Sequence, residues 1–135
     1  MKYVFYFLLI GLLGYSIQSC KEDEGNPPEI RFKTGTGYTS SDATVTVGDT
    51  LIIGIHAEKT EEEDVLKHFN ISESIDNGTP MTGYEEDLSG TDGDVYEEDF
   101  IFAVPADPGH IHKLIFTVTN RDGLTNQVSL TLTIN

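Results

Sequence analysis

From Glu29 to the C-terminus, apolar and polar residues alternate in short runs that turn-forming residues interrupt. A period of two places every second side chain on one face of an extended strand, so these runs read as strands. Ile30 and Phe32 alternate with Arg31 and Lys33 before Gly35-Thr36-Gly37 breaks the run. Val45 and Val47 alternate with Thr44 and Thr46, and Gly48-Asp49 turns the chain. Leu51, Ile53, Ile55 and Ala57 then share one strand face, with Ile52 opposite them. The polar stretch 58–64 opens either a short helix reaching Phe69 or a loop before a strand bearing Phe69, Ile71 and Ile75. The strand is preferred, because Asn70, Ser72 and Ser74 fall on the opposite face. Asn77-Gly78 predicts a hairpin. Residues 79–87 form a weaker edge strand interrupted by Pro80 and Gly83. After a loop at residues 89–94, Tyr96, Phe100, Phe102 and Val104 mark another strand. Several short strands with regular turns predict an all-β sandwich or barrel.

The last segment has the clearest pattern. Leu114, Phe116 and Val118 alternate on one strand, Asn120-Arg121-Asp122-Gly123 turns, and Val128, Leu130, Leu132 and Ile134 alternate with Ser129, Thr131 and Thr133. This is a hairpin with one buried and one Thr-rich face. The run Phe116 to Gly123 with its final strand resembles the last hairpin of PKD-like and related bacterial immunoglobulin-like domains. Pro28-Glu29-Ile30 and Val47-Gly48-Asp49-Thr50-Leu51 fit the same pattern. The resemblance covers residues 28–135 and implies an immunoglobulin-like antiparallel β-sandwich of about seven strands, with the domain at 29–135. It lacks the disulfide and core tryptophan of antibody domains, and it implies a fold without an activity.

Residues 1–19 have the anatomy of a signal peptide: Lys2, an apolar run from Tyr3 to Tyr15, and a short polar stretch ending in Ser19. Ile17-Gln18-Ser19-Cys20 resembles a bacterial lipobox, with Ile where that family usually has Leu. The resemblance implies cleavage before Cys20 and a lipid anchor on its sulfur. Cys20 is the single cysteine, so no intramolecular disulfide forms. Lys21-Glu22-Asp23-Glu24 resembles the surface-export signal of Bacteroidota lipoproteins, which implies an outer-membrane protein facing outward; a solvated acidic tether is the alternative reading. Residues 20–28 are expected to form an extended, unpacked tether.

Lys2 is the one charged residue among 1–19, which leaves 7 of the 8 basic and all 23 acidic side chains on residues 20–135. Such a surface repels phosphate backbones, so nucleic acid is not an expected partner. No nucleophile elbow, zincin motif, phosphate-binding loop or paired-cysteine metal motif occurs, and no enzymatic activity is expected. His110 and His112, with Asp107, are the best transition-metal candidates, although zinc needs at least three ligands. His56 and His68 are isolated. The cluster Asp87, Asp92, Asp94, Glu97, Glu98 and Asp99 is a candidate weak calcium site, through Asp87, Asp92, Asp94 and Glu97; a solvated loop is the simpler reading. No other cofactor is expected. Tyr38, Tyr84 and Tyr96 could form a glycan-stacking platform if the fold brings them together. Asp49-Thr50-Leu51 resembles an O-glycosylation acceptor of exported Bacteroidota proteins. Two function classes remain: a non-catalytic surface module that binds or adheres to a glycan or protein, and an accessory subunit of an outer-membrane assembly. Clustered exposed aromatics would favour a glycan, and an apolar patch or bare sheet edge would favour an assembly.

Overall fold

A computed structural model describes residues 25–135. The expectations for the signal peptide, Cys20 and Lys21-Glu22-Asp23-Glu24 lie outside the described residues. The strands are β1 (Glu29–Phe32), β2 (Ala43–Val45), β3 (Thr50–Glu58), β4 (Leu66–Ile75), β5 (Met81–Asp87), β6 (Val95–Ala103), β7 (Ile111–Asn120) and β8 (Thr125–Ile134), with one 3₁₀ turn at Gly90–Gly93. They form a three-stranded sheet, β1-β3-β6, and a five-stranded sheet, β2-β8-β7-β4-β5. The chain is an all-β, immunoglobulin-like sandwich.

There are eight strands where about seven were expected, and one pair is not antiparallel: β2 runs parallel to β8. Both differences have one origin. The first extended segment pairs with β3, breaks at Gly35 (φ 126°) and Gly37 (φ 96°), and resumes as β2 in the other sheet. Glycine enters this region of positive φ without a Cβ penalty, so the chain can change sheets there.

The inward row of β3 (Ile53, Ile55, Ala57) meets Phe69 of β4, Leu114, Phe116 and Val118 of β7, and Leu130, Leu132 and Ile134 of β8. The stretch before Leu66 is loop, and β4 follows as a strand. The β4–β5 turn is centred one residue earlier than Asn77-Gly78: Asp76 (φ 51°) and Asn77 (φ 61°) are its central pair, closed by Gly78 N–H donating to the Ile75 carbonyl at 2.8 Å. Two consecutive positive φ values give a type I′ turn, whose twist suits a hairpin.

The tether expectation needs correction at residues 26–28. Pro28 is fully buried. Asn126 Nδ2 donates to the Pro28 carbonyl at 2.9 Å, Thr60 Oγ1 to the Pro27 carbonyl at 3.1 Å, and Asn26 Nδ2 to Glu61 Oε1 at 2.8 Å. A buried ring whose neighbouring backbone groups find partners belongs to the domain. Beneath it, Asn120 Nδ2 donates to the buried Asp64 carboxylate at 2.6 Å. The chain thus enters at the end of the sandwich formed by the β3–β4 and β7–β8 connections.

Candidate functional site

β5 and β6 are outermost in their sheets, and side chains bridge them through the Tyr84–Phe100 contact and the Tyr96–Glu86 hydrogen bond. Between the two sheets opens a cleft of about 330 Å³. Its walls include Ile71, Tyr84, Phe100, Phe102 and Phe116, and Glu73 is its polar lining group. These residues lie in the halves of their strands away from the chain's entry.

An aromatic stack props the cleft open from above. Phe69 stacks on Phe100 at 5.5 Å between ring centroids, and Tyr84 meets Phe100 edge-on at 5.3 Å. Glu86 accepts hydrogen bonds from Tyr84 Oη at 2.8 Å and Tyr96 Oη at 3.0 Å. Burial, then the bond to Glu86, pushes the Tyr96 phenol far above its ordinary range, and the Glu86 bond raises that of Tyr84. Both phenols therefore stay protonated donors. Gly83 is the extra residue of a bulge in β5, because Ile71 pairs with Tyr84 and Ser72 with Thr82. The bulge bends β5 away from a regular ladder, and nothing lies within 4 Å of where a Gly83 Cβ would stand.

At the far end of the cleft, His112 is buried. Its Nδ1 lies 2.7 Å from Glu73 Oε1 and its Nε2 3.0 Å from Asp107 Oδ2. Each ring nitrogen is thus engaged by a carboxylate, and neither is turned toward open space where a metal could reach it. His110 precedes β7, is exposed, and pairs with Asp76, whose second oxygen accepts the Ile111 N–H at 2.9 Å. The backbone bond from Ile111 and then the His110 ring hold the Asp76 carboxyl below its usual range; Asp76 in turn raises His110. The structure brings the Asp107 side chain to His112, whereas the His110 ring is taken by Asp76.

The acidic cluster is likewise dispersed. Asp87 pairs with His68 at 3.0 Å, Asp94 with Lys59 at 2.7 Å, and Glu97 with His56, while Asp92 lies in the 3₁₀ turn. Among the described residues no group of three or more His, Cys, Asp or Glu side chains is placed to hold a metal ion. The tyrosines divide two to one: Tyr84 and Tyr96 share Glu86, whereas Tyr38 lies on the outer face of the small sheet, donating to Asp99 at 2.9 Å. That outer face is a closed charge network, with Lys33 on Asp99 at 3.0 Å and Arg31 on Glu58 at 3.0 Å. Thr50 is exposed at the start of β3.

Sequence reasoning missed Glu73, Glu86 and Phe100 as one site. A signal for them exists. Glu73 shares its face with Phe69 and Ile71, Glu86 with Tyr84, and Glu98 with Tyr96 and Phe100. A carboxylate on the apolar side of an alternating strand is a polar group with a partner or a task.

No family model and no curated protein matches the chain. Among solved structures it is similar to the sporulation control protein Spo0M from Bacillus subtilis, at 9% identity and a TM-score of 0.45. The match covers 81% of this chain and 49% of that one, so the chain spans about half its length.

Proposed function

We propose that this protein is a non-catalytic surface lipoprotein, anchored to the outer membrane through lipid on Cys20, whose sandwich is a binding or adhesion module. The observation that carries the reading is the cleft between β5 and β6. It combines an apolar wall with a carboxylate, Glu73, and the Tyr84 ring at its mouth, the composition of a recognition site. It also lies in the half of the domain away from the entry of the chain, and so away from the bilayer if Cys20 is the anchor.

Of the two ligand classes, a protein suits the cleft better than a glycan. Only Tyr84 of the three tyrosines presents its ring at the mouth, since Tyr96 is buried and Tyr38 lies elsewhere. Two strand edges that are unpaired among the described residues flank the opening. The same edges suit an accessory subunit of an outer-membrane assembly, in which the bound protein is a permanent neighbour.

Two measurements test the reading. Cys20→Ala should abolish metabolic labelling by a palmitate analogue; equal labelling would sink the anchor. Glycan-array binding and crosslinking on intact cells, compared between wild type and Tyr84→Ala, should show a ligand lost in the variant. Identical ligand profiles would remove the cleft from the function.

A further inference from the structure

The edges of the cleft differ in what they offer a partner. β5 is a poor template: Pro80 precedes it and the bulge at Gly83 breaks its register. β6 pairs with β3 through nine consecutive residues, Val95 to Ala103, without a register shift, and contains no proline, glycine, lysine or arginine. Its other edge is unpaired among the described residues. A strand laid along that edge would have its inward side chains beside Phe100 and Phe102, over the cleft.

Charge selects the kind of strand. β5 carries Glu85, Glu86 and Asp87, β6 carries Glu97, Glu98 and Asp99, and neither has a basic residue. Glu98 is exposed, has no ion partner among the described residues, and sits on the cleft side of β6 between Tyr96 and Phe100. A second copy of the chain is a poor occupant. Antiparallel pairing of two β6 strands about Glu98 would set Glu98 against its own equivalent and Glu97 against Asp99, and like charges directly opposite destabilise a strand pair. A basic segment meets the reverse condition.

We infer that β6 accepts an extended segment of a partner protein as a ninth strand, with apolar side chains beside Phe100 and Phe102 and a basic one beside Glu98 in the same cleft-facing row. Main-chain bonds to β6 supply affinity, the cleft takes an apolar side chain, and Glu98 selects lysine or arginine. This deepens the protein-binding reading above and rests on it.

The test uses the full-length protein in neutral detergent and a nine-residue peptide with threonine on one face and, on the other, valine with a single lysine placed to meet Glu98. Controls are the same peptide with glutamate for lysine, and one with a central proline. The valine–lysine peptide should slow hydrogen exchange of the β6 amides facing away from β3, and both controls should fail. Glu98→Lys, a change at an exposed and unpaired position, should weaken the basic peptide by roughly tenfold and favour the acidic one. Absent binding, protection only outside β6, or indifference to Glu98→Lys would overturn the inference and leave the carboxylates as guards against edge-to-edge aggregation. A ligand lost in Tyr84→Ala alongside any of those results would overturn this inference alone and leave the binding function standing.

Discussion

At the scale of single residues, Phe116 shows how far alternation reaches. It is 1% exposed and touches Phe32 edge-on at 5.5 Å between centroids. Phe116→Ala should cost about 3–5 kcal/mol in urea unfolding, the usual range for deleting a buried ring; a loss below about 1 kcal/mol would mean the site collapses freely. Burial of this kind was legible in the sequence because one period decides it. The polar partners were not: His110 and His112 are two residues apart, yet they bind different carboxylates, Asp76 and Glu73, supplied by β4 and its turn. The His110–Asp76 pair has a defined pH signature. His110 is raised above 6.5, so its contribution is complete below that value and is lost as pH climbs through the raised one. Asp76 is lowered from 3.8, so its contribution is present above that value and fades as pH falls through the lowered one. The melting-temperature gap between wild type and His110→Gln should be widest between 3.8 and 6.5, and should narrow as pH climbs through the raised His110 value or falls through the lowered Asp76 value. A gap independent of pH would show that the pair is not formed.

At the scale of elements, the β4–β5 hairpin is the informative case. Asn77-Gly78 correctly announced the hairpin, but the turn centres on Asp76-Asn77. The shift has a physical reason: at the first central position Asp76 can accept from the Ile111 backbone while its own N–H donates to the Ile111 carbonyl at 2.8 Å. Asparagine tolerates the left-handed conformation there, and a β-branched residue does not. Asn77→Val should therefore destabilise the domain by about 1–2 kcal/mol, whereas Asn77→Gly should be close to neutral, as read from thermal melts of the two variants. Equal stability of all three proteins would refute the I′ geometry. The change of sheet between β1 and β2 was half visible: the glycines marked a break, but alternation is blind to which sheet a strand joins, so the parallel β2–β8 pair could not be read from it.

For the whole molecule, the acidic surface is better described as paired than as chelating. Asp87, Asp94 and Glu97 each face a separate basic side chain, so a divalent ion finds no shared point of approach. Calcium and magnesium at matched ionic strength should raise the melting temperature by the same small amount, through screening alone. A shift peculiar to calcium would restore a specific site. The cleft itself was illegible in the sequence because it belongs to no single segment; its walls come from β3, β4, β5, β6 and β7, which lie in different sheets. The docking of Asn26 to Pro28 has a mechanical consequence. With lipid on Cys20, only five links separate the bilayer from Gly25, a reach of about 18 Å at full extension. Tension between the membrane and a partner held on β6 would then enter along the axis of β1. Its bonds to β3 lie across that axis, so they would be loaded in shear, all sharing the force, and would not peel one at a time.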